Sequence, residues 1–574
     1  MSSATDRSVV GLFLRQVERR GAQPFLVHFA GGRWQTLTWA SAGQQVLAAA
    51  GRLVAASIAP GEAVVLMAQN SVEWVIADLA IQAVGGVVAP VYPTAGPAMV
   101  RSIVHNCGAR LGLADTEDRA RALGVERAVR LDGEFQEWVS TSLDGATRED
   151  VGRRLAGVDS DAVATIVYTS GTTGEPKGVE LTHRAITDIL GSCLQAFTVG
   201  PDDRALSILP LSHVLERING CYILIAAGGS AWLTRGPDHV LEDVAICRPT
   251  VMVCVPRVYE KMYQGVLREV RRRSPLQQRL FWWALGQGQR RAAGEASPWA
   301  GLAERLVLGG LRRRLTGGRL RYFISGGAPL LHDVEAFFWG IGVKILQGWG
   351  LTETSAGATA NREDAHRYET AGQPLPGVEL RIAEDGEILV RSPGTFRGYH
   401  GDPLATAAAL TEDGWLRTGD TGTLDSDGYL RITDRKKDLL KTSGGKFVAP
   451  QLLEARLLQN AIVAFAIVIG DQRPYVTAVI MPAWDVVADE LRIRGDPATL
   501  VEDPALRAQF QSVVDRANDG LGSWETIKRF ALMPEGLTEA AGELTPTLKV
   551  RRDTVIKNRA GAIEAMYAAP RESA

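Results

Sequence analysis

The sequence has few cysteines, almost no net charge and no long uninterrupted apolar run. Its 574 residues include 5 cysteines without a CxxC pair, and the formal net charge is -2. The scattered thiols give no disulfide or zinc-ribbon framework, so we expect free, buried cysteines in a reducing cytoplasm. The balanced charge implies no strongly acidic or basic partner, and we expect no nucleic-acid ligand.

The ends and apolar segments of the chain exclude two further classes. Residues 1–7 lack the charged and then apolar pattern of a signal peptide. No apolar stretch of about 18 residues is free of charges and breakers, which argues against a membrane-spanning helix. We therefore expect a cytoplasmic protein, either free or peripheral at the inner face of the membrane.

The length and the alternation of apolar runs predict a multidomain α/β protein. A chain this long exceeds a single core, which stops growing near about 250–300 residues. Residues 63–68 read as a buried strand, 72–84 as a helix and 86–90 as the next strand, which is typical of parallel sheets. Similar strands are predicted at 162–168, 205–209, 250–255, 320–325 and 343–347. Because ligands bind at the carboxyl ends of such strands, the glycine-rich turns that follow them are expected to line one cleft.

After about residue 375 the pattern changes to short strands separated by Asp-Gly turns, which predicts antiparallel hairpins. The expected fold is a large N-terminal domain of mixed and parallel sheets with flanking helices, followed by a small, mobile α+β domain. The predicted bounds are 1–435 for the large domain, with a β-rich subdomain at about 375–433, then a hinge at 434–438 and a small domain at 439–574.

The segment Tyr168-Thr-Ser-Gly-Thr-Thr-Gly-Glu-Pro-Lys177-Gly has the composition of a phosphate-binding loop. Its glycines allow backbone N–H groups to approach phosphate oxygens, and Ser170, Thr172 and Thr173 add hydroxyl donors. Lys177 adds a positive charge. The segment does not match the Walker pattern, since Pro176 precedes the lysine and Gly178 follows it.

This loop and five later motifs resemble, in order, the signatures of the acyl-adenylate-forming superfamily, which includes acyl-CoA synthetases, luciferases and peptide-synthetase adenylation domains. The resemblance covers roughly residues 25–560. The later motifs are Ser325-Gly-Gly-Ala-Pro329, Gln347-Gly-Trp-Gly-Leu-Thr-Glu-Thr354, Trp415-Leu-Arg-Thr-Gly-Asp420, Asp434-Arg435 with Lys437, and Gly542-Glu-Leu-Thr-Pro-Thr-Leu-Lys549.

The resemblance implies an enzyme that uses ATP and Mg²⁺ to activate a carboxylic acid. Thr169 and Glu353 would hold Mg²⁺, a hard ion that prefers oxygen ligands. Lys549 would be the catalytic lysine that bridges the carboxylate and the α-phosphate, although without the motif before it a solvated lysine would be expected there. The full set implied to bind ATP or AMP is Thr169, Ser170, Gly171, Thr172, Thr173, Gly174, Lys177, Gly327, Ala328, Pro329, Gln347, Gly348, Trp349, Gly350, Thr352, Asp420 and Arg435.

Within this set, Thr352 would contact the α-phosphate and Trp349 would lie against the adenine, where many relatives carry tyrosine. Asp420 would accept from the ribose hydroxyls, with Arg435 in support. In the family, the small domain then rotates for thioester formation with coenzyme A. Lys437 would be the hinge, and the turn of Gly444, Gly445 and Lys446 would leave room for the thiol of CoA.

The segment Leu209-Pro-Leu-Ser-His213-Val-Leu-Glu-Arg217 resembles the long-chain fatty-acyl-CoA synthetase branch. His213 is expected to close the acid-binding end of the cleft and is grouped with the catalytic residues. The candidates for the acyl pocket or its gate are Val214, Glu216, Arg217, Trp282 and Trp283.

Residues 268–321 contain 13 arginines and 3 glutamates, with tryptophans interspersed. This composition suits an anionic membrane surface. A solvated helical excursion with buried aromatics is an equally good interpretation. Some long-chain relatives form dimers through the N-terminal domain, so a homodimer is compatible with the resemblance.

Three alternatives to a fatty-acyl-CoA synthetase remain: an acyl-AMP ligase that loads a carrier protein, a synthetase for a non-fatty acid, and a non-catalytic acyl-nucleotide sensor. The first usually carries an insertion between the domains, and residues 420–437 leave no room for one. A sensor would be expected to lose Glu353, Asp420 or Lys549, and all three are present.

Overall fold

A computed structural model describes residues 7–170, 176–436, 438–538, 541–544 and 550–568. The chain divides into two compact units. Unit 1 consists of Met1–Arg381, Leu389–Thr418 and Leu424–Arg431, and unit 2 of Ile382–Ile388, Gly419–Thr423 and Ile432–Ala574. The last segment of unit 2 thus begins two residues before the predicted hinge at 434–438, and the predicted domain bounds stay a prediction.

The helices up to residue 409 are α1 Val9–Arg20, α2 Trp39–Ala55, α3 Val72–Ala83, α4 Pro97–Cys107, α5 Glu117–Leu123, α6 Glu134–Ser140, α7 Gly145–Ala156, α8 His183–Ala196, α9 Ile223–Ala227, α10 Val240–Cys247, α11 Pro256–Arg271, α12 Pro275–Ala292, α13 Ala300–Ala303, α14 Gly309–Thr316, α15 His332–Gly340 and α16 Pro403–Ala409. Helices of the C-terminal part are α17 Pro450–Leu458, α18 Trp484–Val486, α19 Pro497–Leu500, α20 Pro504–Asn518, α21 Arg552–Asn558 and α22 Ala560–Ala568. Shorter helical turns include π-helices at Leu215–Tyr222, Glu304–Leu308 and Val487–Leu491, and 3-10 turns at Pro237–His239 and Thr352–Thr354.

The strands up to residue 374 are β1 Pro24–Ala30, β2 Arg33–Thr38, β3 Ala63–Met67, β4 Val87–Val91, β5 Leu111–Ala114, β6 Arg127–Arg130, β7 Val163–Ser170, β8 Pro176–Thr182, β9 Arg204–Ser207, β10 Ser230–Leu233, β11 Val251–Cys254, β12 Tyr322–Ser325, β13 Lys344–Trp349, β14 Thr359–Ala360 and β15 Gln373–Pro374. Those that follow are β16 Glu379–Ile382, β17 Glu387–Arg391, β18 Gly398–Tyr399, β19 Leu416–Leu424, β20 Leu430–Arg435, β21 Leu440–Lys441, β22 Phe447–Val448, β23 Val463–Ile469, β24 Val476–Pro482 and β25 Ile527–Leu532.

Three sheets lie within unit 1. Their strand orders are β18-β8-β7-β4-β3-β5-β6, β2-β1-β10-β9 and β11-β12-β13-β14-β15. In the seven-stranded sheet, β4, β3, β5 and β6 run parallel, and β7 pairs in parallel with β4 but antiparallel with β8. The predicted α/β fold with mixed and parallel sheets is therefore confirmed.

The β3–α3–β4 unit shows why the sequence folds this way locally. All five residues of β3 and of β4 are buried, as expected for strands covered on both faces. Helix α3 begins after Ser71, whose hydroxyl accepts from the N–H of Trp74 at 3.1 Å. A core cluster on this sheet includes Val65, Ala89 and Tyr168, packed with α4 and α5. The sheet and its flanking helices thus hold β7 within the core.

The predicted Asp-Gly turns occur where the strand pattern shortens. Gly386 lies between β16 and β17 with φ +82°, and Gly428 lies between β19 and β20 with φ +81°. These positive values favour glycine over any other residue. The four strands form a sheet of order β16-β17-β19-β20.

Unit 2 is built on the sheet β23-β24-β25, which is covered on both faces. Alternate residues of β23 point to opposite sides, so Val468 joins a cluster with Leu453 of α17 and Phe510 of α20. On the other side, Ile469 packs with Val555 of α21 and Ile563 of α22. This arrangement agrees with the predicted α+β character of the small domain.

Among the described residues, no helix is both long and apolar enough to cross a membrane. The five cysteines are free thiols, and all except Cys107 are buried. Burial raises the pKa of Cys193 to about 12, so its reactive thiolate form is disfavoured. The predicted free, buried thiols are thus found at four of the five cysteines, and Cys107 is half-buried.

Candidate active site

The strands on either side of the phosphate-binding loop form an antiparallel pair. Thr169 of β7 faces Lys177 of β8 in the ladder, and Ser170 faces Pro176. The loop residues Gly171, Thr172, Thr173 and Gly174 lie outside the described residues. Pro176 occupies the first position of β8, where a missing N–H is tolerated.

The glycine after the lysine has a steric reason. A Cβ placed on Gly178 would lie 2.7 Å from Cγ2 of Ile166 and 3.0 Å from Cε1 of Tyr168. The glycine therefore lets β8 pack closely on β7.

Lys177 and Glu353 both contact the side chain of Tyr399, one at the ring and the other at the hydroxyl. The Nζ of Lys177 is 5.0 Å from the centroid of the Tyr399 ring. The hydroxyl of Tyr399 donates to Oε1 of Glu353 at 2.8 Å. The Phe396 N–H donates to the backbone carbonyl of Glu353 at 2.8 Å. The structure thus brings the predicted phosphate-binding lysine and the predicted metal ligand to one place.

The other two glycine-rich turns begin at the carboxyl ends of neighbouring parallel strands. Ser325 at the end of β12 is the ladder partner of Gln347 in β13. Gly327 has φ +87°, and it is exposed together with Ala328 and Pro329. Trp349 and Gly350 at the end of β13 are half-buried, as is Thr352 in the 3-10 turn that follows.

Gln347 is buried and supports the turn through its side chain. Its Oε1 accepts from the N–H of Leu330 at 3.1 Å, and its amide donates to Oε2 of Glu335 at 2.9 Å. Because both ends of this amide are used within the protein, the side chain of Gln347 braces the exposed turn. Close packing also explains Gly350, where a Cβ would lie 2.7 Å from the backbone N of Gly357.

The orientation of His213 is set by the backbone that follows it. The N–H of Leu215 donates to Nδ1 of His213 at 3.1 Å, so the neutral ring carries its proton on Nε2. The ring lies edge-on to Tyr92, with centroids 6.4 Å apart. Tyr92 is half-buried, and the loss of solvent around its hydroxyl raises its pKa well above the ordinary value, so it stays a neutral phenol.

Asn70 is a residue that sequence reasoning missed in this region. Its amide donates to the carbonyl of Leu209 at 2.7 Å, and its Oδ1 accepts from the N–H of Leu211 at 2.8 Å. Asn70 lies between β3 and α3, so its hydrogen bonds hold the Leu209–Arg217 segment at the carboxyl edge of the seven-stranded sheet. The signal available in the sequence was a polar residue directly after a buried strand.

The residues after His213 form the π-helix Leu215–Tyr222 instead of an α-helix. Val214, Glu216 and Arg217 are all buried. Burial raises the pKa of Glu216 to about 8, so its carboxyl group is largely protonated at neutral pH. A Cβ on Gly220 would lie 2.7 Å from Oε1 of Glu216, so the glycine leaves room for this carboxyl group.

Arg217 is the centre of a buried polar cluster that joins three elements. Its guanidinium pairs with Asp78 of α3, and its Nη1 donates to Oγ1 of Thr165 in β7 at 2.8 Å. Its Nε donates to the Tyr222 hydroxyl at 2.8 Å, and Gln82 donates to Asp78 at 3.1 Å. The cluster fixes the π-helix against the strand that leads into the phosphate-binding loop.

The two tryptophan gate candidates lie in α12. Trp282 is 51% exposed and lies edge-on to Phe281, whereas Trp283 is half-buried. The neighbouring surface of α12, α13 and the π-turn Glu304–Leu308 also exposes large apolar side chains, namely Leu276, Leu280, Trp299, Leu302 and Leu306.

In unit 2, two predicted nucleotide-binding residues form an ion pair. Nε of Arg435 in β20 is 3.2 Å from Oδ1 of Asp420 in β19. The neighbouring Asp434 is buried, and burial raises its pKa to about 6. Lys437 and Lys549 lie outside the described residues.

The predicted CoA-side turn connects β21 to β22. Its Gly445 has φ +76° and donates its N–H to the carbonyl of Thr442 at 2.8 Å. Gly444, Gly445 and Lys446 are exposed, and Nζ of Lys446 is 5.4 Å from the ring centroid of Trp524. The turn therefore presents its backbone on the surface of this unit.

Two family models match the chain. The model described as AMP-binding enzyme matches residues 13–400, and the model described as AMP-binding enzyme C-terminal domain matches residues 437–571.

Among curated proteins, the long-chain-fatty-acid–CoA ligase FadD15 of Mycobacterium bovis is 36% identical to the chain, and the alignment covers 93% of each protein. The peroxisomal long chain acyl-CoA synthetase 6 of Arabidopsis thaliana is 31% identical over 93% of this chain and 82% of that protein. A similar solved structure is the o-succinylbenzoate coenzyme A synthetase of Bacillus subtilis in complex with ATP and magnesium ion. It has a TM-score of 0.70 and 20% identity, and the match covers 94% of this chain and 98% of that one.

Proposed function

The chain belongs to the AMP-binding enzyme family, and from this premise we propose how its residues divide the work of a long-chain fatty acid–CoA ligase. The enzyme uses ATP to convert a fatty acid to acyl-AMP with release of pyrophosphate, and then transfers the acyl group to CoA with release of AMP. A carboxylate oxygen attacks the α-phosphorus in the first step. The sulfur of CoA attacks the acyl carbon in the second step.

The arrangement of Lys177, Tyr399 and Glu353 is the observation that carries the nucleotide part of this proposal. Lys177 would neutralise phosphate charge, and the Glu353 carboxylate accepts from the same tyrosine that Lys177 contacts. Thr169 and Glu353 are oxygen donors, a donor set that fits Mg²⁺ together with substrate phosphates. When bound, Mg²⁺ would reduce the repulsion between the fatty-acid carboxylate and ATP.

For the acid, we propose that His213 closes the cleft through its Nε2 edge, since Nδ1 is held by the Leu215 N–H. Val214 lies beside it in the buried segment. Glu216 and Arg217 would shape the acyl pocket by fixing the π-helix, because both are enclosed within the protein. Trp282 and Trp283 stay proposed gate residues on α12.

In unit 2, we propose that Asp420 accepts from the ribose hydroxyls and that Arg435, already paired with it, holds this carboxylate in place. Lys549 is the proposed catalytic lysine of adenylation, and Lys437 the proposed hinge. Gly444, Gly445 and Lys446 would form the turn that lies along the thiol arm of CoA.

The substrate assignment is tested with a series of saturated acids from acetate to eicosanoate, incubated with ATP, Mg²⁺ and CoA. AMP release is expected to be greatest for the long-chain acids and to require CoA for turnover. Turnover with a carrier protein but not with CoA would contradict the proposal and favour the acyl-AMP ligase. A maximum at acetate or an aromatic acid would contradict the long-chain assignment alone.

The assignment of Lys549 to adenylation and of Gly445 to thioester formation is tested with Lys549→Ala and Gly445→Val. Lys549→Ala should abolish fatty-acid-dependent ATP–pyrophosphate exchange and spare thioester formation from supplied acyl-AMP. Gly445→Val should do the reverse, since its positive φ and exposed turn do not suit a branched side chain. Lys557→Ala, which removes an exposed lysine of α21, is the matched control. Equal loss of both half-reactions in either variant would contradict its assigned role.

We further propose that the exposed apolar surface of α12 and α13 binds anionic lipid. Leu276 is 77% exposed and Trp299 is 58% exposed, within a segment that carries a large excess of arginine. Neutralising Arg271, Arg272 and Arg273 should reduce sedimentation with phosphatidylglycerol vesicles and leave phosphatidylcholine vesicles unaffected. Unchanged sedimentation with both would exclude this surface as the lipid contact.

A further inference from the structure

Tyr399 is fixed on several sides. Its short strand β18 pairs with β8, so that Tyr399 faces Val179. Its backbone N–H donates to Oγ1 of Thr406 at 2.9 Å, and its ring lies edge-on to Phe396 with centroids 4.9 Å apart. The side chain is therefore held in one orientation by the main sheet and by the start of α16.

The hydroxyl of Tyr399 donates a hydrogen bond to the carboxylate of Glu353. A phenol hydroxyl carries one proton that it can donate. The proton points to Oε1 of Glu353 across 2.8 Å. One oxygen of the Glu353 carboxylate is thus bound within the protein, which orients the other oxygen.

The ring of Tyr399 also lies beneath Lys177, whose ammonium is 5.0 Å from the ring centroid. An ammonium over an aromatic face is attracted to it without losing its charge. No ion pair between Lys177 and Glu353 is found in the described part of the chain. A direct pair would neutralise both groups, whereas separate contacts with the ring and the hydroxyl of Tyr399 leave a cation for phosphate and an anion for a metal.

We propose that Tyr399 is a positioning residue that orients Glu353 toward Mg²⁺ and holds Lys177 and Glu353 apart so that each can bind its own part of Mg²⁺–ATP. The proposal rests on the nucleotide-binding roles assigned to these two residues above. Groups that hold a metal ligand in place commonly affect metal affinity about tenfold or more.

The decisive experiment uses the full-length protein and a non-hydrolysable ATP analogue, with binding measured by calorimetry at saturating Mg²⁺ and again in chelator. Tyr399→Phe keeps the ring and removes the hydroxyl. We expect about a tenfold loss of affinity with Mg²⁺ and less than about a twofold change in chelator. Tyr399→Leu also removes the ring, and we expect the affinity in chelator to fall as well, since Lys177 can then pair with Glu353.

The matched control is Tyr322→Phe, which removes a tyrosine hydroxyl that donates to the carbonyl of Thr198 at 3.1 Å in the same unit. It should bind the analogue as the unchanged protein does. Because Tyr399 acts through Glu353, Tyr399→Phe should have no further effect on the Mg²⁺-dependent affinity in a Glu353→Gln background.

Unchanged affinity of Tyr399→Phe, or equal losses with and without Mg²⁺, would overturn the proposal, as would additive losses in the Glu353→Gln background. These binding measurements do not depend on the fatty acid. If no acid in the series released AMP but the Mg²⁺-dependent loss were observed, the substrate assignment would fail while the role of Tyr399 would stand.

Discussion

Breaking the Arg217–Asp78 pair should destabilise unit 1 strongly. The two side chains are 2% and 0% exposed, and Asp78 also accepts from Gln82 and from Tyr222, the latter at 2.5 Å. Removing one partner leaves a buried charge without its counter-ion, which typically costs about 3–5 kcal/mol. We therefore expect this loss for Arg217→Met alone and a similar one for Asp78→Leu alone.

The double variant Asp78→Leu/Arg217→Met should behave differently from the sum of the single changes. Replacing both charges with apolar side chains of similar size is often nearly neutral, because neither charge has to be desolvated. The hydroxyls of Thr165 and Tyr222 lose their Arg217 partner, which leaves a smaller cost of about 1–3 kcal/mol. We expect the double variant to be more stable than either single variant.

Scanning calorimetry of the full-length protein measures this prediction. In a unit of this size, 1 kcal/mol shifts the transition by about 2 °C or less, so the single variants should unfold up to about 6–10 °C earlier. The double variant should recover most of that difference. A decrease in the unfolding temperature of less than about 2 °C for Arg217→Met would refute the inference that the Arg217–Asp78 pair stabilises the π-helix. Additive losses in the double variant would refute it as well, since they would show that the two residues are not energetically coupled.

Two further outcomes follow from buried groups of unit 1. Because the pKa of Glu216 is raised to about 8 from its ordinary 4.5, the folded protein keeps a proton that the unfolded chain has released, and stability should fall by up to roughly 1.4 kcal/mol per pH unit as pH rises between these values. Glu216→Gln should remove this slope in thermal melts, and an unchanged slope would show that Glu216 is not its source. Gly288→Ala should destabilise unit 1 by about 1–3 kcal/mol, since its Cβ would lie 1.8 Å from the carbonyl oxygen of Gly340. Gly286→Ala on the same helix has open space and should be neutral or slightly stabilising, so equal melting temperatures of the two variants would contradict the close helix contact.

The local elements of the fold could be predicted because their signals are local. The predicted strand at residues 63–68 and helix at 72–84 agree with Ala63–Met67 and Val72–Ala83 to within one residue. The apolar run marks the strand, and Ser71 marks the start of the helix. The phosphate-binding loop is likewise predicted from its own residues, and it stays a prediction because residues 171–175 lie outside the described part of the chain.

The contacts that organise the site could not be predicted in this way. Tyr399 and Glu353 are 46 positions apart, and Arg217 and Asp78 are 139 apart. Asp78 appears in the sequence as one of three polar residues, with Glu73 and Gln82, in a largely apolar helix. The division of the β-rich region could not be predicted either, since unit 2 takes Ile382–Ile388 and Gly419–Thr423 from within it.

The π-helix Leu215–Tyr222 has a consequence for how this segment can vary. A π-turn accommodates one residue more than an α-turn, and each residue of an α-helix turns the chain by about 100°. Deleting a single residue, such as the half-buried Asn219, would restore α-helical winding. His213 would then rotate by about a quarter turn relative to Tyr222, away from the position set by the Arg217 cluster. A change of length in this segment should therefore disturb the position of His213 even where no buried side chain of the π-helix is replaced.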